Sequence, residues 1–133
     1  MIELEKYIGI PFVDKGRTLD GADCYGIVKL YYKEFLNIDI EEIIANPDNA
    51  KSCFVKYLDQ ISRNWKQENH AVKNSVVAMS TNPQHPNMIT HFGVMIDDKR
   101  MLHTFKNVQC HVICIDNPII KTQIKGFYSW SQL

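Results

Sequence analysis

At 133 residues, 45% of them apolar, the chain is long enough to bury a core without disulfide staples, and a single domain over residues 1–133 is the expectation. Fifteen Lys and Arg against fifteen Asp and Glu leave a formal net charge of zero and a pI near 6.9, which argues against a nucleic-acid partner or an anionic membrane surface. No apolar run approaches the roughly 18 residues of a membrane span. The start Met1-Ile2-Glu3-Leu4-Glu5-Lys6 carries acids where a secretory signal carries bases. Synthesis in the cytoplasm without a Sec-type export route is therefore expected. Cys24, Cys53, Cys110 and Cys114 match no small secreted scaffold and are expected as free thiols.

In chain order, Tyr7 to Val13 is a short apolar stretch broken by Gly9 and Pro11, and the turn-rich residues up to Gly21 complete a lead-in loop. From Cys24 to about Phe35, the positions Cys24, Ile27, Val28, Tyr31 and Phe35 recur at helical spacing, with Asp23 placed as N-cap. A second helix is predicted from near Asp48 to about Trp65, because Ala50, Cys53, Phe54, Tyr57, Leu58, Ile61 and Trp65 form one stripe; Cys53 there reads as core packing. A polar connection, Lys66 to His70, follows. Four β-branched and apolar clusters then predict strands: Val76 to Met79, Phe92 to Ile96, Met101 to Phe105 and Val112 to Ile115. The first two are separated by a loop, Thr81 to Met88, that could edge a cleft. Helices first and strands after predict an α+β domain, with N-terminal helices packed on an antiparallel β-sheet.

A thiol is a useful nucleophile only as thiolate, and a helix N-terminus with a nearby imidazolium lowers its pKa below the free value of about 8.5. Cys24 is placed to receive both. Gly21 and Gly26 flank it, and are expected to give freedom at the turn and to leave little bulk beside the sulfur. Taken alone, Cys24 also reads as a small core residue.

The histidines shift that balance. Along His91-Phe92-Gly93-Val94-Met95-Ile96, strand alternation puts Phe92, Val94 and Ile96 on one face and His91, Gly93 and Met95 on the other, where Gly93 is expected to leave room. A three-residue turn, Asp97-Asp98-Lys99, would set Ile96 opposite Arg100 and Gly93 opposite His103. His91 and His103 would then be diagonal neighbours about 7 Å apart at the backbone. A two-residue turn would send them to opposite faces.

Other polar residues compete for attention. Cys110, His111 and Cys114 near His103 hint at zinc, but alternation puts both thiols on one face and His111 on the other, so no metal is expected. His70 and His85 lie in polar loops, with His85 able to reach a substrate from the cleft edge. Asp116, Asn117 and Asn107 are rivals for the third catalytic position, and Lys15 and Arg17 are candidate partners for a substrate carboxylate. Trp65 and Trp130 read as packing.

The chain resembles the NlpC/P60 cysteine peptidases of papain-like fold, and more closely their phage tail-associated branch. The resemblance runs from Tyr7-Ile8-Gly9-Ile10-Pro11-Phe12 through Asp23-Cys24-Tyr25-Gly26-Ile27-Val28 and His91-Phe92-Gly93-Val94-Met95-Ile96 to Met101-Leu102-His103 and Ile124-Lys125-Gly126-Phe127-Tyr128. It implies Cys24 as nucleophile, His91 as general base and His103 as the group that fixes the His91 tautomer, with no cofactor. It also implies cleavage of peptide bonds in bacterial cell-wall stem peptides through a thioacyl-enzyme, by a protein carried on a virion and contacting phage tail proteins. Phe12 stands where many members have a tyrosine that helps bind the oxyanion, which passes that task to backbone N–H groups at the helix start beside Asp23. Asn74-Ser75 replaces the usual Gly-Asp turn. Two other readings are a tail-assembly protein with incidental or no catalysis, and a related-fold acyltransferase or amidase with an apolar cleft.

Overall fold

Asp23 starts the main helix as expected. Its backbone is extended and its carboxylate accepts the Gly26 N–H at 2.8 Å, which caps α1 (Cys24–Leu36). Asn37 ends the helix in the left-handed region, φ 54°, and donates its N–H to the Lys33 carbonyl. The computed structural model describes residues 4–43, 58, 59, 61 and 63–131.

A short hairpin, β1 (Arg17–Thr18) and β2 (Gly21–Ala22), lies just ahead of α1, inside the segment expected to be loop. Beyond the helix come β3 (Trp65–Glu68), β4 (Val76–Met79), β5 (His91–Met95), β6 (Arg100–Phe105), β7 (Val108–Cys114), α2 (Pro118–Gln123) and β8 (Ile124–Trp130). Six of these strands form one antiparallel sheet in the order β3-β8-β4-β5-β6-β7. The α+β architecture with an antiparallel sheet agrees with the sequence expectation.

Alternation along the strands divides the interior in two. Val76, Ala78, Phe92, Val94 and Leu102 face α1, where they pack with Tyr25, Ile27, Val28, Tyr31 and Tyr32. Val77, Met79, Met95 and Met101 point to the other side, where Ile120 of α2 covers them. Both faces are thus buried at β4 and β5, which explains the unbroken apolar run of β4 and the enclosure of every β5 residue, His91 included.

Three sequence expectations need correction. Trp65 opens β3 and does not end a helix; residues 58, 59, 61, 63 and 64 are helical, and the remainder of that predicted helix, Cys53 included, lies outside the described residues. The stretch after Trp65 is an edge strand paired with β8, and an edge can be polar because one side of it meets solvent. β8 itself was not expected as a strand. A bulge where it meets Ala78 and Met79 lets Ile124 and Phe127, three residues apart, pack into the same cluster while Tyr128 and Trp130 pack on the α1 side. That shift breaks the period-two pattern by which a strand is recognised. Trp65 and Trp130 meet edge to face at 5.0 Å, as packing residues.

Asn74 takes φ 72°, the left-handed conformation a glycine would supply, and accepts the Tyr31 hydroxyl on its side-chain oxygen at 2.7 Å. Asn74 thus supplies the left-handed residue of the turn that leads into β4.

Candidate active site

The β5–β6 hairpin decides whether the two histidines can meet. Val94 pairs with Leu102, Met95 with Met101, and the Ile96 N–H donates to the Arg100 carbonyl at 2.9 Å, the register of a three-residue turn. Asp97 holds that turn by accepting the Lys99 and Arg100 N–H groups at 2.8 and 2.7 Å. His91 and His103 consequently share a face, and His91 Nε2 lies 2.9 Å from His103 Nδ1. The expected room beside Gly93 is taken: a Cβ there would lie 2.4 Å from the Met101 sulfur and 3.3 Å from His103 Cβ. Met101 and Gly93 together wall the imidazole pair.

Both rings are buried, His91 at 4% exposure and His103 at 1%. Loss of water disfavours the imidazolium, with the nearby rings adding to it, and the pKa falls to about 4 for His91 and about 3 for His103. Both are therefore neutral at neutral pH, and a cationic His91 needs a negative partner beside it.

Cys24, the first residue of α1, is buried at 8% exposure. Its helix packs on β5 and β6, and Tyr25, the next residue, meets Phe92, the residue after His91, with ring centroids 5.9 Å apart. Burial raises the Cys110 thiol to about 12, so that sulfur stays protonated.

The sequence matches no protein-family model and no curated protein sequence. Solved structures do match. The NlpC/P60 domain of the peptidoglycan hydrolase SagA aligns with a TM-score of 0.64 at 17% identity, over 94% of this chain and 91% of that one. NlpC2 from Trichomonas vaginalis aligns with a TM-score of 0.67 at 14% identity, over 94% of this chain and 44% of that one. An NlpC/P60 family protein from Bacillus cereus gives 0.64 at 17% identity, over 93% and 36%. The fold is that of NlpC/P60 domains.

On this NlpC/P60 fold the other candidate residues fall into two groups. Asp23 and Arg17 hold the helix start together. Asp23 accepts from Gly26 N–H, from Lys15 N–H at 3.1 Å and from Arg17 Nη1 at 2.6 Å. Arg17 further donates to Gly16 O, to both Glu42 carboxylate oxygens and to Ile43 O, at 2.7 to 3.1 Å. Its five N–H donors are thus engaged within the protein, and the guanidinium is a clamp between the β1–β2 hairpin and the segment after α1. The substrate-carboxylate role expected of Arg17 has no donor left to perform it.

Gly26 serves the same junction. A Cβ on it would come within 2.2 Å of the Gly16 carbonyl oxygen, and neither Gly21 nor Gly26 has positive φ. Their lack of a side chain admits the Gly16 backbone at Gly26 and the Val13 side chain at Gly21, and does not serve turn freedom.

Phe12 bridges to Ala22 and borders an open groove of about 790 Å³ with Pro11, Asp14, Lys106, Asn107, Val108 and Gln109. Phe105, the residue before Lys106, lies 5.9 Å from the His91 ring and 5.4 Å from the His103 ring. Of the rivals for the third position, Asn117 caps α2 and Asn107 forms the β6–β7 turn at φ 68°. His70 and His85 are exposed. His111, weighed from the sequence only as a zinc ligand, has a role at this site that the sequence reading missed. It pairs with His103 across β6 and β7, and its Nε2 lies 3.1 Å from His103 Nε2. The signal was Asn107, a turn residue midway between positions 103 and 111. No cluster suited to a metal ion is found among the described residues.

Proposed function

We propose that this chain is a cysteine hydrolase that cleaves peptide bonds in bacterial cell-wall stem peptides, with Cys24 as nucleophile, His91 as general base and His103 as its orienting partner. The observation that carries the reading is the His91–His103 hydrogen bond between β5 and β6, with Phe92, the residue after His91, packed on Tyr25, the residue after Cys24. The likeness in fold to the SagA domain, itself described as belonging to a peptidoglycan hydrolase, supports the substrate class.

Neutral His91 takes the thiol proton as the sulfur attacks the scissile carbonyl, and the resulting thiolate–imidazolium pair offsets the burial that otherwise depresses the ring. Negative charge developing on the carbonyl oxygen lies at the positive end of α1. His91 then returns its proton to the leaving amine, and once neutral again it activates the water that resolves the thioacyl-enzyme. Lys106, on the groove that Phe12 borders, takes over the carboxylate-binding role that Arg17 cannot fill. Association with a phage tail or prophage apparatus belongs to the same proposal and rests on the sequence resemblance to the tail-associated branch.

The test is incubation of purified stem peptides with the wild type and with Cys24→Ala, with mass analysis of the products. Fragments from the wild type alone are expected. Identical patterns from both proteins, or no fragments from either, would remove the peptidase reading. Addition of a free amine separates the acyltransferase alternative, which would give an amide product in place of the hydrolysed one.

A further inference from the structure

Beyond the pair already described, the imidazoles continue outward. His91 Nε2 lies 2.9 Å from His103 Nδ1, His103 Nε2 lies 3.1 Å from His111 Nε2, and His111 Nδ1 lies 3.0 Å from the carbonyl oxygen of Gln109. From this chain of contacts we infer that His111 is a positioning residue, which transmits the acceptor character of the Gln109 carbonyl through two further rings and so decides which nitrogen of His91 is basic.

The direction follows from what each atom is able to do. A carbonyl oxygen only accepts, so His111 Nδ1 must carry a proton and donate it. In the neutral ring that leaves His111 Nε2 with a lone pair, and the nitrogen facing it, His103 Nε2, must donate. His103 Nδ1 is then the bare nitrogen of its ring and accepts from His91 Nε2–H. The remaining nitrogen of His91, Nδ1, is left with its lone pair. A His91 ring protonated on Nδ1 instead would have no lone pair on that side with which to receive the thiol proton.

Burial gives this ordering its force. His91 and His103 are almost fully enclosed, so water cannot stand in for a partner turned the wrong way at their link, whereas His111 is half-buried with its Nδ1 contact at the surface, and the direction there rests on the Gln109 carbonyl. Reversing the relay with all rings neutral would put two donors or two acceptors face to face at one link. The fold holds the rings in line: His103 and His111 are opposite each other in the β6–β7 register, and Phe105 lies against all three, 5.9, 5.4 and 6.2 Å from His91, His103 and His111. Gln109 and His111 belong to one strand, so the anchoring carbonyl is fixed by β7 itself.

The inference rests on the assignment of His91 as base, but its experiment reads proton positions without requiring turnover. Long-range proton–nitrogen spectra of the full chain labelled with ¹⁵N-histidine at neutral pH should place hydrogen on Nε2 of His91, on Nε2 of His103 and on Nδ1 of His111. His111→Phe keeps bulk but removes the acceptor; it should move the His103 and His91 protons to Nδ1. It should also slow Cys24 alkylation by iodoacetamide, followed by peptide mass mapping, and lower kcat on stem peptide by about 10- to 100-fold with little change in KM. His111→Gln restores an acceptor oxygen and should recover the wild-type tautomers and most of the rate.

Unchanged tautomers in a folded His111→Phe would overturn the relay. So would a wild-type spectrum with hydrogen on His111 Nε2, which decides the matter even where the Phe variant fails to fold. Expected tautomers without stem-peptide cleavage would remove the peptidase reading and leave the relay standing; cleavage with tautomers indifferent to position 111 would do the reverse.

Discussion

The buried histidine pair makes the folded chain sensitive to mild acid, and the size of the effect follows from the two depressed pKa values. Unfolded histidine titrates near 6.5, whereas the folded rings take up protons only near 4 for His91 and 3 for His103. Between these limits the unfolded state binds protons that the folded state refuses. Stability is therefore complete above pH 6.5 and falls as the pH drops toward 4. The slope approaches about 1.4 kcal/mol per pH unit for each ring inside that window, so acidification from pH 6.5 to 4.5 removes about 2 kcal/mol per ring and roughly 4 kcal/mol for the pair. That is a large share of the roughly 5–15 kcal/mol that holds a typical domain together. Urea unfolding followed by circular dichroism at pH 7.0, 6.0, 5.0 and 4.5 measures the loss. His103→Gln removes one titrating ring and should cut the slope by about half. A flat wild-type profile between pH 6.5 and 4.5, or a His103→Gln slope equal to that of the wild type, would refute the burial argument.

Asp23→Ala removes the α1 cap and one carboxylate partner of Arg17, and should cost about 1–2 kcal/mol in thermal unfolding even with the thiol intact. Gly93→Ala drives a methyl into the Met101 thioether and should destabilise by about 1–3 kcal/mol, with part of the loss recovered by adding Met101→Ala; equal melting temperatures for Gly93→Ala and the wild type would contradict the packing. At position 74, glycine should be less damaging than alanine by about 1 kcal/mol, because φ 72° penalises a Cβ while both changes lose the Tyr31 contact.

Much of the candidate site was legible in the residues. The α1 cap and stripe are local features of Asp23 to Phe35. The His91–His103 pairing followed from counting residues across Asp97-Asp98-Lys99, because strand alternation turns loop length into facing direction. Less legible was whatever depended on a partner distant in the chain. Arg17 read as a free cation near the nucleophile until Glu42 and the Ile43 carbonyl came into reach. Gly93 read as open space until Met101 filled it.

Short-range chemistry thus lies in the sequence itself: where α1 begins, which residues alternate, and how the β5–β6 turn is closed, since each involves groups a few bonds or one turn apart. Only the tertiary structure decided that β8 runs between β3 and β4, that Arg17 is consumed as a clamp, and that His111 completes a line of imidazoles ending on a carbonyl. Those outcomes depend on pairing register and on competition for hydrogen-bond partners between segments far apart in the chain, which no local pattern encodes.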